Sequence, residues 1–251
     1  MIRRPPRSTQ GVSSAASDVY KRQRQTRHRT HAAGSHVDSN AQVGRVERQC
    51  IKVGGIDMFE LDQRIAEQLT QVSLGSSVQV RMSSANSFAV TASTMVPLMQ
   101  MFEMGGVYIS ASRGAVEIIQ AFEAIGIDVS NIQFLDLVSS SVLGGTDVPY
   151  SNVTFVDSPI MLESIMLRTL YTLRTVNTQR NFVFLDSVNA LAIYNDDRML
   201  AEYLHSFINT FRQREVLSVI LNVPDQTPPL VLANLDTYCT DLIDRGQVVL
   251  L

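Results

Sequence analysis

Lysine is nearly missing from this chain: Lys21 and Lys52 are the only two in 251 residues, and none follows Lys52. A phosphate-binding loop of the Walker type needs a lysine at the start of its helix, and glycines so that backbone N–H groups can wrap the phosphates. That way of gripping a triphosphate is therefore excluded. Cysteine is equally scarce. Cys50 and Cys239 lie far apart with no CxxC or Cys/His spacing around them, which argues against a zinc site or a disulfide framework and fits two reduced thiols. No apolar run approaches the roughly 20 residues that cross a bilayer, and the first residues lack the apolar h-region of a signal peptide. A cytoplasmic protein with no membrane association is expected.

Positive charge is concentrated at one end. Arg3, Arg4, Arg7, Lys21, Arg22, Arg24, Arg27 and Arg29 supply 8 of the 21 basic residues, leaving 11 basic against 21 acidic from Cys50 onward, a net of about −10. Affinity for nucleic acid comes mostly from Lys and Arg neutralising phosphates, so no nucleic-acid partner is expected for the body. Residues 1–23, MIRRPPRSTQGVSSAASDVYKRQ, resemble the peptide produced when sequencing-adapter DNA is translated by accident; a basic arm or targeting peptide is the rival reading. Residues 24–45 carry no hydrophobic period. The expected organisation is a disordered or artefactual leader over 1–45 and one domain over 46–251.

The body alternates apolar runs with helical patterns. Val78 to Met82 reads as a strand, followed by a polar loop, a helix over about 90–104 and the strand Val107 to Ile109. Ser112 is placed to cap the next helix, and Gly126 sits where a left-handed C-terminal residue is wanted. Further strands are expected at Ile132–Asp136, Asn152–Val156, Phe182–Leu185 and Val216–Leu221, with helices opened by Ser158-Pro159 and following Asp196. The helix after Pro159 is apolar on most of its circumference, so wide burial is expected. The Pro-rich loop at 224–229 leads to a short helix and a hairpin turning near Arg245-Gly246. Repeated βα alternation argues for a mostly parallel sheet with helices on both faces.

Three stretches in this order resemble a known superfamily. Gly106-Val107-Tyr108-Ile109-Ser110 with a helix ending Gly126-Ile127-Asp128, the apolar strand Asn181 to Leu185 closing on Asp186-Ser187, and the closing Asp241-Leu242-Ile243-Asp244 together resemble the archaeal KaiC-like branch of RecA-like ATPases. The resemblance implies an α/β, RecA-like P-loop NTPase fold over most of 54–251, with Asp186 in the place of the Walker B carboxylate. It also implies side-by-side assembly, hence a homo-oligomer or a protein partner.

The departures from that pattern are in the chemistry. Ser83-Ser84-Ala85-Asn86-Ser87-Phe88-Ala89-Val90 occupies the eight positions of GxxxxGK[ST], with Phe88 for the second glycine, Ala89 for lysine and Val90 for the magnesium-binding hydroxyl. Ser110-Ala111-Ser112 stands where the family carries a water-activating acid. Losing clamp, metal hydroxyl and base together removes nearly all that phosphoryl-transfer catalysis consists of. The expected function is a degenerate, non-catalytic domain acting by protein–protein contact, with no catalytic residue, no metal site and no cofactor.

Rival readings remain open on particular residues. A nucleotide sensor or unconventional ATPase would bind ATP and magnesium through Asp186, with Ser84 and Asn86 as remnants of the loop and Arg113, Arg212 or Arg214 lent by a neighbouring subunit. A small-ligand sensor in signalling is the third. Asp186 is otherwise expected to cap its own following helix. Asp136, Asp157 and Asp186 each end a strand and would either converge on a cation or act as separate caps. His205 reads as a helix-flank histidine, and Met95, Met99, Met101 and Met104 as either an adaptable partner surface or core.

Overall fold

The computed structural model describes residues 52–53, 56–139, 150–156 and 158–245, with side chains from Gln63 onward. The basic leader, the boundary near residue 45, Cys50 and Asp157 lie outside the described residues. A two-stranded antiparallel ribbon, β1 (Lys52–Val53) and β2 (Ile56–Asp57), precedes α1 (Met58–Leu69). The main sheet is built from β3 (Ser77–Met82), β4 (Gly105–Ser110), β5 (Ile132–Asp136), β6 (Val153–Phe155), β7 (Asn181–Leu185), β8 (Leu217–Asn222) and β9 (Asp241–Arg245). Its order is β6-β5-β4-β7-β8-β3-β9, and every pairing is parallel. All strand C-termini therefore meet at one edge.

The strand pattern explains why helices cover both faces. In β7, Phe182 and Phe184 join a core with α1, α2 (Ser87–Val96) and α3 (Ala115–Ala124), while Val183 and Leu185 join a second core with α4 (Leu162–Leu173), α5 (Val188–Tyr194) and α6 (Asp197–Arg212). A strand apolar at consecutive positions has no solvent face. Each buried Phe contributes roughly 1.5–3 kcal/mol. Val231 and Leu235 of α7 (Pro229–Tyr238) complete the second core. Close approach of β4 to β7 depends on Gly106, where an added Cβ would sit 2.3 Å from the Phe182 carbonyl oxygen. Gly126 ends α3 with φ +77°, the left-handed position expected of it.

Several local expectations are corrected. The helix after β3 begins at Ser87, three residues early, and stops at Val96 because Pro97 has no N–H to continue the ladder. A single π-turn, Pro97–Met101, follows, with the Phe102 N–H donating to the Pro97 carbonyl. Met95 and Met104 are buried and only Met101 of that group is well exposed, so core packing and not a methionine surface accounts for them. Ser158-Pro159 does not open α4, which starts at Leu162, and its Leu167 and Tyr171 are 68% and 72% exposed. Wide burial of that helix is not found. The strand expected to begin the closing hairpin is β9, a parallel edge strand on β3; the hairpin's return arm lies outside the described residues.

Candidate functional site

The turn after β3 closes on itself. Ser83 and Asn86 form a reciprocal clasp in which the Ser83 N–H and hydroxyl both donate to Asn86 Oδ1, at 3.1 and 2.7 Å, and Ser84–Asn86 is one 3₁₀ turn. Asn86 is thereby buried, while Ser84 faces the pocket described below. After Ser87, which lines the same pocket, three positions pack inward. Phe88 stacks on Phe122 with ring centroids 5.8 Å apart, and Ala89 and Val90 are 1% and 0% exposed. Ala89 and Val90 are thus part of the core.

The turn after β4 is organised from both sides by carboxylates. Asp136, ending β5, accepts from the Val138 and Ser139 N–H groups on Oδ1 and from the Ala115 N–H and Ser139 hydroxyl on Oδ2, all within 2.8 Å. Ala115 is the first residue of α3, whose N-cap is Gly114 and has no side chain to offer; Asp136 supplies the capping oxygen across the sheet. An added Cβ at Gly114 would meet the Ser139 hydroxyl at 2.8 Å. Ser112, expected to cap α3, instead donates its hydroxyl to Asp186.

Asp186, ending β7, accepts from the Ala111 N–H at 2.8 Å and the Ser112 N–H at 3.3 Å on Oδ1, and from the Ser112 hydroxyl at 2.8 Å and, weakly, the Tyr108 hydroxyl at 3.5 Å on Oδ2. It does not cap α5. Ser187 does, accepting from the Ala190 N–H at 3.0 Å. Burial pushes the Asp186 carboxyl up to about 6, against the opposing pull of the bonds from Ala111, Ser112 and Tyr108, so it is mainly ionised at neutral pH. Burial and the neighbouring Asp186 charge together raise Tyr108 well above the usual phenol range.

Between the two turns lies a pocket of about 170 Å³ walled by Ser84, Ser87, Phe88, Thr91, Tyr108, Ser112, Arg113, Asp186 and Asn189. It is smaller than the ~300–1,000 Å³ typical of sites for drug-sized ligands. Arg113 is its cation, half exposed and 3.6 Å from Glu117 one helical turn on. Arg212 and Arg214, at the far end of α6, donate to the Tyr238 and Thr210 carbonyls and do not line it. Asp136 and Asp186 flank β4 with their oxygens occupied by protein donors, and among the described residues no group of three or more His, Cys, Asp or Glu is placed to hold a metal ion. His205 stacks on Tyr238 at 4.1 Å and bonds Asn209, a helix-flank role. Tyr108 and Asn189 had no sequence signal, since each becomes a pocket residue only through the order of the strands. Among the described residues no helix is long and apolar enough to cross a membrane.

No protein-family model and no curated protein matches the sequence. Solved structures do. A protein from Pyrococcus horikoshii, solved in a structural study, matches with TM-score 0.51 and 12% identity over 73% of this chain and 88% of its own. A KaiC-like protein of the same archaeon matches at 0.48 and 12% over 70% and 74%. The flagellar accessory protein FlaH of Methanocaldococcus jannaschii matches at 0.47 and 15% over 75% and 77%. Identities this low speak of fold alone. The fold is an α/β architecture, a seven-stranded parallel sheet covered by helices on both faces, and it is shared with the first of these structures.

Proposed function

We propose that this chain is a non-catalytic RecA/KaiC-like domain that works by protein–protein contact, as a regulator or scaffold beside a partner or further copies of itself. The observation that carries the reading is the burial of Ala89 and Val90 beside the Ser83–Asn86 clasp. A phosphate cradle requires backbone N–H groups opened toward the ligand and a cation above them, and here the Ser83 N–H and hydroxyl are spent on Asn86 and no cationic side chain lies in the turn. Asp186 supports the same reading, because its oxygens hold the turn after β4 and leave little for a hydrated magnesium ion.

Contact with protein is supported by exposed apolar side chains gathered where α5 ends. Ile160 and Met161 are 59% and 56% exposed, Ile193 and Tyr194 77% and 54%, and a hydrogen bond from the Asn195 side chain to the Pro159 carbonyl holds the two segments together. Clustered exposed apolar surface marks interaction sites more often than scattered single residues do. The test pairs a phosphate-release assay with sedimentation velocity on the wild type and Ile160→Glu/Ile193→Glu. Expected are no ATP-dependent phosphate release and an association that the double variant removes with the fold intact. Phosphate release abolished by Asp186→Ala would overturn the reading.

The pocket beside Asp186 favours a second reading, a small-ligand sensor. Its size, its opening to solvent and its convergent hydroxyls suit a ligand of few heavy atoms and not a nucleoside triphosphate.

A further inference from the structure

The pocket wall has a polarity fixed by its hydrogen bonds. A carboxylate only accepts, so the Ser112 hydroxyl, 2.8 Å from Asp186 Oδ2, spends its one proton on it, and the Tyr108 hydroxyl at 3.5 Å leans the same way. What these two oxygens have left are lone pairs. Asn189 is committed as well: its Nδ2 donates to the Val223 carbonyl and Thr227 Oγ1, and its Oδ1 accepts from the Val223 N–H. Ser84, Ser87 and Thr91 add hydroxyls that accept as readily as they donate. Arg113 is paired with Glu117, 3.6 Å away. The N-terminus of α2 and Arg113 are the elements of the wall that favour anions, and the Gln226 amide, able to donate and to accept, lines it as well.

We propose that the pocket binds a small neutral or cationic molecule presenting N–H or O–H donors, an amine, amidine or amide of a few heavy atoms, and that it rejects phosphate. The inference rests on the small-ligand reading of this site. Donors of such a ligand meet the outward lone pairs of Ser112 and Tyr108, with the buried charge of Asp186 behind them strengthening both contacts. Phosphate would bring its own acceptors against the same lone pairs.

Asp186→Asn tests this because it keeps the shape and reverses the polarity. The amide nitrogen would donate to Ser112 and Tyr108, turning their protons into the pocket. Acetamidine, ethanolamine, inorganic phosphate and magnesium–ATP are titrated separately into the full chain, following ligand signals by NMR saturation transfer and protein shifts. Expected in the wild type is saturable acetamidine or ethanolamine binding of order millimolar, with roughly tenfold loss in Asp186→Asn, the scale of a lost charge-assisted hydrogen bond. Should Asp186→Asn not fold, Ser112→Ala is expected to weaken acetamidine binding at least threefold. Affinity unchanged in the folded variant, or wild-type phosphate binding as tight as acetamidine, overturns the donor-ligand inference while leaving the small-ligand reading standing. Absence of binding by all four probes overturns both, and tight magnesium–ATP binding overturns the non-catalytic reading separately.

Discussion

The two turns at the C-terminal edge of the sheet have been built by opposite means. The turn after β3 contains no charged side chain between Ser83 and Val90 and is closed by neutral contacts: the Ser83–Asn86 clasp, the Phe88–Phe122 stack and the burial of Ala89 and Val90. The turns after β4 and β5 are held by two buried carboxylates that collect eight hydrogen bonds between them, six of them at 2.7–2.8 Å. A strand-ending aspartate in such a sheet is therefore no sign of a metal site by itself. Its donors decide what it is for, and here they are backbone N–H groups and hydroxyls of the adjoining loop.

The comparison is broken most severely at Asp136. Asp136→Ala would leave the buried Ala115 N–H and the part-buried Val138 and Ser139 N–H groups without this acceptor and is expected to destabilise the fold by about 3–5 kcal/mol, readable as a large drop in the urea midpoint. Asp136→Asn should be nearly as damaging, because either orientation of the amide points N–H at N–H. A cost under about 1 kcal/mol for Asp136→Ala would show that the carboxylate does not organise this turn.

A cation placed in the turn after β3 sharpens the contrast from the other side. Ala89→Lys places an ammonium at a position 1% exposed, with an expected cost of about 3 kcal/mol or more and no gain in nucleotide affinity. Its melting temperature and a magnesium–ATP titration check both halves. Micromolar binding in that variant would mean the turn opens readily into a cradle.

Asp186 carries a pH signature of its own. Its folded value of about 6 lies above the ~3.9 of an unfolded aspartate. The native state then holds the proton more tightly, so this residue favours the fold most below about pH 4 and that advantage is lost as pH rises toward 6. The change amounts to at most about 3 kcal/mol. Asp186→Asn should flatten this part of the stability–pH curve and match or exceed the wild type at pH 7, since Ser112 and Tyr108 can reverse their hydroxyls. A steeper curve in Asp186→Asn would contradict the role given to burial.

The smallest effect is expected at Phe88. Phe88→Leu removes the stack on Phe122 but keeps apolar contact, for about 1 kcal/mol, and widens the pocket without changing its polarity. Thermal melts of Phe88→Leu and Phe122→Leu, alone and together, measure the coupling.

Much of the fold was legible because apolar runs such as Phe182 to Leu185 and Leu217 to Leu221 identify buried strands regardless of context, and glycines such as Gly126 punctuate them. The site was less legible. Ala89 and Val90 stand in the sequence as apolar residues at the start of a helix, whereas the Asp136–Ala115 cap requires knowing that β5 lies beside β4. Serine-rich stretches misled: Ser83 to Ser87 reads as loop although it contains a clasp and a helix start, and Ser112 reads as a cap although Asp186 claims its hydroxyl. A short polar side chain has several partners within reach, and tertiary geometry picks one.

The central proposal, that this sheet edge does not hold a triphosphate, is tested most directly by calorimetric titration of magnesium–ATP into the wild-type chain at neutral pH. The account predicts no saturable heat up to millimolar nucleotide. Micromolar binding that disappears in Asp186→Ala would contradict it.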